Sequence, residues 1–180
     1  MSSSAVPAVA GILDSASFPV NRILGIDPGL NTTGYGVIDV SSGRVRLLEA
    51  GVVRGRSKDL AERVRAIHDG IREVIETFRP DTVAMEDLYN HYARPLAAIR
   101  MAHARGCICL ATAQAGLVVT PYAATKIKKI LTGNGHASKE QMQRAIQLEL
   151  GLDKLPEPPD VADALAVALC RFHHGDQAKK

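Results

Sequence analysis

The sequence predicts an α/β fold whose strands lie mainly early in the chain and whose helices follow. Apolar segments separated by turn-forming residues indicate strands at 23–27, 33–40 and 45–54. From Asp59 onwards the apolar residues fall three or four positions apart, which is the spacing of an amphipathic helix. The 180 residues, 46% hydrophobic and 23% charged, are typical of one globular domain with a real core.

Short turns predict how the first three strands are connected. Gly29-Leu30-Asn31 and Ser41-Ser42-Gly43 leave room only for tight reversals, so we expect an antiparallel meander. The helix that begins near Asp59 should stop at Pro80. The next predicted elements are a strand at 81–86, an Ala-rich helix at about 95–115, a strand at 117–121 and a helix at 123–131.

The last two helices carry clear start signals. Ser138 with Gln141 three residues later fits the capping box, which predicts a helix at 138–150. A proline-rich link at 156–159 leads into a final helix at about 160–172. We therefore expect one domain over 22–175, a flexible extension over 1–21 and a short basic tail over 176–180.

Two features bear on the cellular compartment. No apolar run approaches the roughly 20 residues needed to span a bilayer, and residues 1–21 lack the basic start of a secretory signal. The cysteines Cys107, Cys109 and Cys170 lack zinc-ligand spacing, so we expect reduced core thiols. Both features indicate a cytoplasmic protein.

The distribution of basic residues is more informative than the net charge of +3. A solvated surface explains any single basic residue, whereas clustering is typical of nucleic-acid binding. Two stretches show such clustering: Arg44, Arg46, Arg54, Arg56 and Lys58, then Lys126, Lys128, Lys129, Lys139 and Arg144.

Four acidic residues lie at the edges of predicted apolar elements. Asp27 and Glu86 each end a strand, and their carboxylates would meet if those strands are neighbours. Asp160 and Asp163 share one face of the first turn of the last helix. Helix capping alone explains one Asp at that position, but it explains a pair less well.

Several carboxylates held together raise one another's pKa, so a folded protein tolerates the cluster only when cations neutralise it. Oxygen ligands without His or Cys favour Mg²⁺ or Mn²⁺. Two such ions roughly 4 Å apart can activate water and stabilise the leaving oxygen in phosphodiester hydrolysis. The acids therefore indicate a metal-dependent nuclease.

Three acidic motifs, in order, resemble those of the bacterial RuvC-type Holliday junction resolvases. The similarity extends over about 23–174 and includes Pro121-Tyr122-Ala123-Ala124 and Gly133-Asn134-Gly135. The motifs are Ile23-Leu24-Gly25-Ile26-Asp27-Pro28-Gly29 with Thr33-Gly34-Tyr35-Gly36-Val37, Ala84-Met85-Glu86, and Asp160-Val161-Ala162-Asp163-Ala164-Leu165-Ala166.

The resemblance implies an RNase H-like fold, a five-stranded mixed sheet with helices on both faces, assembled as a homodimer. It implies symmetric, metal-dependent nicking of four-way DNA junctions in homologous recombination and repair, which leaves 5′-phosphate and 3′-hydroxyl ends. Asp27, Glu86, Asp160 and Asp163 would be the catalytic and metal-binding residues. The family also implies a branch-migration complex of RuvA and RuvB as a partner.

The resemblance further implies residues that contact DNA. Tyr89 falls where the family carries an aromatic residue that stacks on an unpaired base, and Lys128 and Lys139 match basic residues near the scissile backbone. Arg94 follows Tyr89 in a segment that could touch DNA. The Ala-rich helix at 95–115 is our candidate for the dimer interface, with an intramolecular core role as the alternative.

Other function classes stay open on sequence grounds. An RNase H-like nuclease acting on RNA would share Asp27 and Glu86, and a junction-binding module could have lost catalysis. Actin-like ATPases and sugar kinases open with a similar strand and turn, but they need two lobes, for which 180 residues leave no room.

Overall fold

A computed structural model describes residues 21–88 and 95–177 and confirms the α/β architecture. The strands are β1 (Asn21–Asp27), β2 (Thr32–Ser41), β3 (Arg44–Arg54), β4 (Thr82–Glu86) and β5 (Val119–Tyr122). The helices are α1 (Leu60–Phe78), α2 (Pro95–Gln114), α3 (Ala124–Thr132), α4 (Lys139–Leu150) and α5 (Pro159–Gln177).

The five strands form one mixed sheet in the order β3-β2-β1-β4-β5. The first three pair antiparallel, as the tight turns predict, and β1, β4 and β5 pair in parallel. Each parallel crossover contains a helix, α1 before β4 and α2 before β5. The ends of β1 and β4 therefore meet at the same edge of the sheet.

Alternation along the strands gives the sheet two apolar faces. On one face, Leu24 and Ile26 of β1 pack with buried residues of α1 and α2. On the other face, Ile23 packs in a second core with α3, α4 and α5. Helices thus cover both faces of the sheet, as the family resemblance implies.

Local capping explains where two of the helices begin. The Asp59 side chain accepts a hydrogen bond from the Glu62 backbone N–H at 3.0 Å and starts α1. The Ser138 side chain accepts from the Gln141 backbone, and Gln141 Oε1 accepts from the Ser138 backbone at 2.8 Å. This second pair confirms the predicted capping box at the start of α4.

Two predicted element boundaries were wrong. The expected strand at 117–121 starts at Val119, because the Leu117 N–H still bonds to the Thr112 carbonyl and closes the end of α2. The last helix extends to Gln177, because backbone hydrogen bonding continues beyond the apolar stripe that ends at Phe172.

The prediction that all three cysteines lie in the core was wrong for Cys109. Cys107 and Cys170 are buried, whereas Cys109 is exposed because it lies on the outer face of α2. Within the residues that the structure describes, no helix is both long and apolar enough to cross a bilayer.

A charged network joins β1, β2 and β3 at the sheet edge opposite to the ends of β1 and β4. Arg22 Nε donates to Asp39 Oδ1 at 2.7 Å, and Arg46 Nη2 contacts Asp39 Oδ2 at 3.3 Å. Arg22 also donates to the Phe78 carbonyl, and its backbone N–H donates to Asp81 Oδ2 at 2.7 Å. These contacts tie the meander to the end of α1 and the start of β4.

We expect Asp39→Asn to lower the free energy of unfolding at neutral pH by about 1–3 kcal/mol, because the change leaves Arg22 without its charged partner. Hydrogen bonds from Arg22 lower the pKa of Asp39 in the folded protein, against a smaller effect of burial. The stabilisation is therefore present above the unfolded-state pKa and is lost as pH falls through the folded-state pKa.

Urea unfolding of wild type and variant across the acidic range measures this effect. The two stability curves should converge at low pH. Arg46→Gln is the control, since Arg46 is 74% exposed and should contribute little. A loss for Asp39→Asn that is constant with pH would contradict the assignment.

Candidate active site

Two of the predicted acids meet at the edge of the sheet. Ile26 of β1 pairs with Met85 of β4 in parallel register, so the following residues, Asp27 and Glu86, end adjacent strands. The sequence predicted that the two carboxylates would meet if their strands were neighbours, and β1 and β4 are neighbours. The edge formed by Asp27, Glu86, Asp160 and Asp163 is called the acidic edge below.

Helix α5 reaches this edge because it lies unusually close to the sheet. A Cβ atom at Gly34 would lie 2.0 Å from the Asp160 carbonyl oxygen, and one at Gly25 would lie 2.3 Å from the Ala164 carbonyl oxygen. A Cβ at Gly36 would lie 2.5 Å from Leu165 Cδ2. Side chains are thus excluded from this strip of Gly25, Gly34 and Gly36, which we call the glycine strip.

Burial and mutual repulsion dominate the electrostatics of Asp27. Burial is the largest cause that raises its pKa, followed by the charges of Glu86, Asp163 and Asp160, and together they raise the pKa to about 8. The charge of Lys139 lowers the pKa of Asp27 and offsets only part of this increase. The acidic edge therefore has an excess of negative charge that the protein's own cations do not balance.

The pKa values of Glu86 and Asp163 are raised for the same reasons. Burial is again the largest cause for both residues, and Asp163 adds its charge to Glu86. Lys128 lowers both pKa values, and Lys139 lowers that of Asp163. The two lysines thus belong to the electrostatic environment of the acidic edge.

A cavity of about 250 Å³ places these groups around one space. Lys139 Nζ lies 3.9 Å from Asp163 Oδ2 across it. The lining residues are Glu86, Ala124, Ile127, Lys128, Lys139, Met142, Asp163 and Ala166. Carboxylates and ammonium groups that face one cavity could bind a cation together with an anionic ligand.

Asp160 lines a different hollow from Glu86 and Asp163. That hollow lies between the β1–β2 turn and the first half of α2, where Arg100 and Met101 also line it. Asp160 nevertheless acts on the acidic edge, because its charge raises the pKa of both Asp27 and Asp163.

The sequence interpretation missed Arg105. Its guanidinium donates to the Glu86 carbonyl, lies 3.2 Å from Asp87 Oδ1, and lowers the pKa of Glu86. Arg105 therefore fixes the end of β4 at the point where Glu86 emerges. The available signal was the presence of only two arginines, Arg100 and Arg105, in a helix otherwise rich in small and apolar residues.

The carboxylates are coupled through their charges and have not converged on one point. Within residues 21–88 and 95–177, no three His, Cys, Asp or Glu side chains are arranged so that they could hold a metal ion as they stand. Of the predicted DNA-contacting residues, Lys128 and Lys139 lie at the acidic edge. Tyr89 and Arg94 lie outside the described residues.

Comparisons with known proteins agree on one family. Residues 23–171 match the model of the family described as crossover junction endodeoxyribonuclease RuvC. A protein of that name from Rhodopirellula baltica is 54% identical over 149 residues, which cover 82% of this chain and 84% of the relative. Another from Cereibacter sphaeroides is 44% identical over 153 residues, with 85% and 90% coverage.

Solved structures show the same similarity. Thermus thermophilus RuvC in complex with Holliday junction substrate matches with a TM-score of 0.82 and 36% identity, covering 88% of this chain and 96% of that one. The yeast mitochondrial Holliday junction resolvase Ydc2 matches with a TM-score of 0.62, 16% identity and coverage of 92% and 83%. At that identity the second match supports the fold alone.

We expect Gly34→Ala to impair the site, because the added methyl group would lie 2.0 Å from the Asp160 carbonyl oxygen and force the start of α5 away from β2. Unfolding free energy should fall by about 1–3 kcal/mol through overpacking. Gly135→Ala is the matched control, since its nearest neighbour would be 3.4 Å away.

Urea denaturation and junction binding by both variants test this expectation. The Gly34→Ala variant should have a lower free energy of unfolding and impaired junction binding. The Gly135→Ala variant should match wild type in both measurements. Equal stability of the two variants would argue against close packing of α5 on the glycine strip.

Proposed function

The chain belongs to the RuvC family of crossover junction endodeoxyribonucleases, and on this basis we infer that it is a hydrolytic nuclease that resolves Holliday junctions. Family membership extends over residues 23–171, which include all four acids of the acidic edge. The observation that carries the site assignment is geometric: β1 and β4 end side by side at Asp27 and Glu86, and the start of α5 packs against the glycine strip beside them. We propose these four carboxylates as the catalytic and metal-binding residues.

Family membership implies dependence on a divalent metal ion, and the residues present fit one. The candidate ligands are all carboxylates, which suit hard cations such as Mg²⁺ or Mn²⁺. Asp27, with its pKa raised to about 8, would hold a proton at neutral pH unless positive charge is supplied. The carboxylates would have to converge further to act as ligands. We propose two ions per site.

Bound divalent ions would supply an activated water and charge stabilisation for the leaving oxygen. The protein's own part is to bind and orient the DNA strand. Lys128 and Lys139 face the cavity from α3 and the start of α4, where their ammonium groups would bind backbone phosphate. Arg105 keeps the end of β4, and with it Glu86, in place.

We extend the proposal to contacts beyond the acidic edge. Tyr89 would stack on an unpaired base near the crossover, and Arg94 would contact the backbone beside it. Because most contacts would be to phosphate, binding should be sensitive to salt and largely indifferent to sequence. The nicks would leave ligatable 5′-phosphate and 3′-hydroxyl ends.

We propose that α2 forms the interface of a homodimer. Its inner face, with Cys107, Ile108 and Ala111, is buried in the core. Its outer face carries Leu96, Ile99 and Leu110, which are 68%, 53% and 53% exposed. With His103 and Gly106 between them, these residues alternate three and four positions apart, the spacing by which helices pair.

A two-fold dimer suits a two-fold substrate. An isologous pair presents two equivalent acidic edges, so each could cut one of two opposed strands of a four-way junction. In the cell we propose that the enzyme acts in the cytoplasm, in recombination and repair, with a RuvA and RuvB branch-migration complex. The folded domain would comprise 22–175, with 1–21 as an extension and 176–180 as a tail.

We expect Asp27→Asn to abolish cleavage of a synthetic mobile four-way junction, a loss of at least about 10³-fold, because it removes a charged ligand from the acidic edge. Junction binding at neutral pH without divalent ions should be retained, because the raised pKa keeps Asp27 protonated and neutral there, as Asn would be. Cleavage in Mg²⁺ and in Mn²⁺ and binding by fluorescence anisotropy measure the two effects.

Linear duplex and an RNA–DNA hybrid serve as substrate controls. Paired, ligatable nicks in the junction by wild type alone would support the proposed function. Binding without cleavage in either metal would instead indicate a junction-binding module, and preferential cutting of the hybrid would indicate an RNA nuclease. Asp69→Asn is the matched control for Asp27→Asn, because Asp69 is an exposed carboxylate on α1. This control variant should cleave the junction as wild type does.

We expect Ile99→Asp to weaken the homodimer by at least about tenfold, because it places a charge in the outer apolar stripe of α2. Leu148→Asp is the control, since Leu148 is 83% exposed on α4 and lies outside the stripe. Sedimentation velocity over a concentration series measures the dissociation constant. An unchanged constant for Ile99→Asp would rule out this face as the interface.

A further inference from the structure

A second basic surface lies beside the acidic edge, on another side of α3. Lys126, Lys129 and Ile130 of α3 face His173 and His174 of α5 across a hollow of about 570 Å³. We call it the basic hollow. Its lining is separate from that of the cavity at the acidic edge, which takes Ile127 and Lys128 from the same helix. Helix α3 thus presents lysines to two neighbouring spaces.

The walls of the basic hollow are positioned by Tyr122 at the end of β5. Lys126 Nζ lies 5.4 Å from the centre of the Tyr122 ring, in cation–π geometry. The His174 ring meets the same Tyr122 ring edge-on, with 5.7 Å between centroids. Since Tyr122 is only 2% exposed, these two groups are anchored on a fixed, buried surface.

The charges around the basic hollow favour an anion. Lys126 and Lys129 line it. Among the side chains that the structure describes, Glu149 places an opposing charge at its edge, with Oε1 2.5 Å from His173 Nε2. The two lysines therefore outweigh this carboxylate.

The position of the basic hollow relative to the acidic edge fits a duplex arm. His174 follows Asp163 by eleven residues of the same helix, which corresponds to roughly 16 Å along its axis. That is less than half of the roughly 34 Å covered by one turn of duplex DNA. A phosphate near the basic hollow and the scissile phosphate could therefore belong to the same arm.

We propose that the basic hollow binds a backbone phosphate of a junction arm, outside the active site, and so fixes the direction in which that arm leaves the enzyme. This rests on the proposed function. The contact is to phosphate and not to bases, so it adds affinity and salt dependence without sequence preference. It acts on binding and arm orientation, and the chemical step does not use it.

Neutralising variants test the proposal on the full chain. Lys126→Gln and Lys129→Gln should each weaken junction binding about two- to fivefold and reduce the slope of log affinity against log salt by about 1. Glu149→Gln should have the opposite sign and tighten binding, because it removes the opposing carboxylate. Arg65→Gln is the matched control, since Arg65 is 68% exposed on α1 across the sheet. Fluorescence anisotropy without divalent ions measures all four.

A methylphosphonate scan then locates the phosphate. Neutral methylphosphonates placed one at a time along an arm should weaken wild-type binding at one position within a turn of the crossover. A methylphosphonate at that position should not weaken junction binding by the Lys129→Gln variant any further. A double-mutant cycle quantifies this coupling. Salt slopes of both lysine variants equal to that of wild type would overturn the proposal, as would a scan in which the variant and wild type respond alike.

Failure of this proposal is distinguishable from failure of the proposed function. Each protein is also assayed for junction cleavage with Mg²⁺ and with Mn²⁺ at saturating concentrations. Normal cleavage by wild type together with unchanged salt slopes would reject the basic hollow alone. Absence of cleavage by wild type would reject the nuclease. Slower cleavage by the Lys129→Gln variant at saturating concentrations would also count against the proposal, because the basic hollow is proposed to have no part in the chemical step.

Discussion

The close packing of α5 on the glycine strip is the constraint on which the rest of the structure depends. Gly25 and Gly34 let the helix backbone come within a distance that any side chain would prevent, and Gly36 leaves room for the side chain of Leu165. The same contact buries Leu165 and Leu169 in one of the two cores. Folding and site assembly thus share one interface, and a change that disturbs the packing of this helix also displaces Asp160 and Asp163.

The acidic edge shows the cost of concentrating carboxylates in a folded chain. Burial and repulsion raise the pKa values of Asp27, Glu86 and Asp163, and the nearby Lys128 and Lys139 only partly compensate. The excess negative charge favours a cation, whereas the lysines at the rim favour an anion. An arrangement of this kind suits a reaction in which a metal ion and a phosphodiester must occupy neighbouring positions.

Much of the fold could be predicted because local signals were strong and consistent. Tight turns marked the antiparallel meander, apolar spacing marked α1, and Ser138 with Gln141 marked the start of α4. The boundaries of β5 and α5 could not be read, because the Leu117 contact with Thr112 and the polar continuation of α5 have no apolar pattern. Cys109 was misplaced because composition does not show which face of a helix a residue occupies.

Motifs of the site were also visible in the sequence, but the contacts between distant segments were not. The sequence indicated the four acids, Lys128 and Lys139, and it could not show that Arg105 holds the end of β4. Nor could it show that Lys126 and Lys129 face a separate hollow from Lys128, because this depends on how α3 is rotated about its axis. Rotation of a short helix is fixed by tertiary packing, for which the sequence gives only a weak signal.

The order of the acidic residues along the chain has a consequence for protein synthesis. Asp27 is made early and Glu86 near the middle, but Asp160 and Asp163 come from α5, the last helix. A ribosome-bound chain therefore lacks two of the four acidic-edge residues and one wall of a core until synthesis is nearly complete. Products truncated before residue 159 would lack two of the four proposed catalytic acids, and the loss of the core residues of α5 would leave them unstable and open to proteolysis.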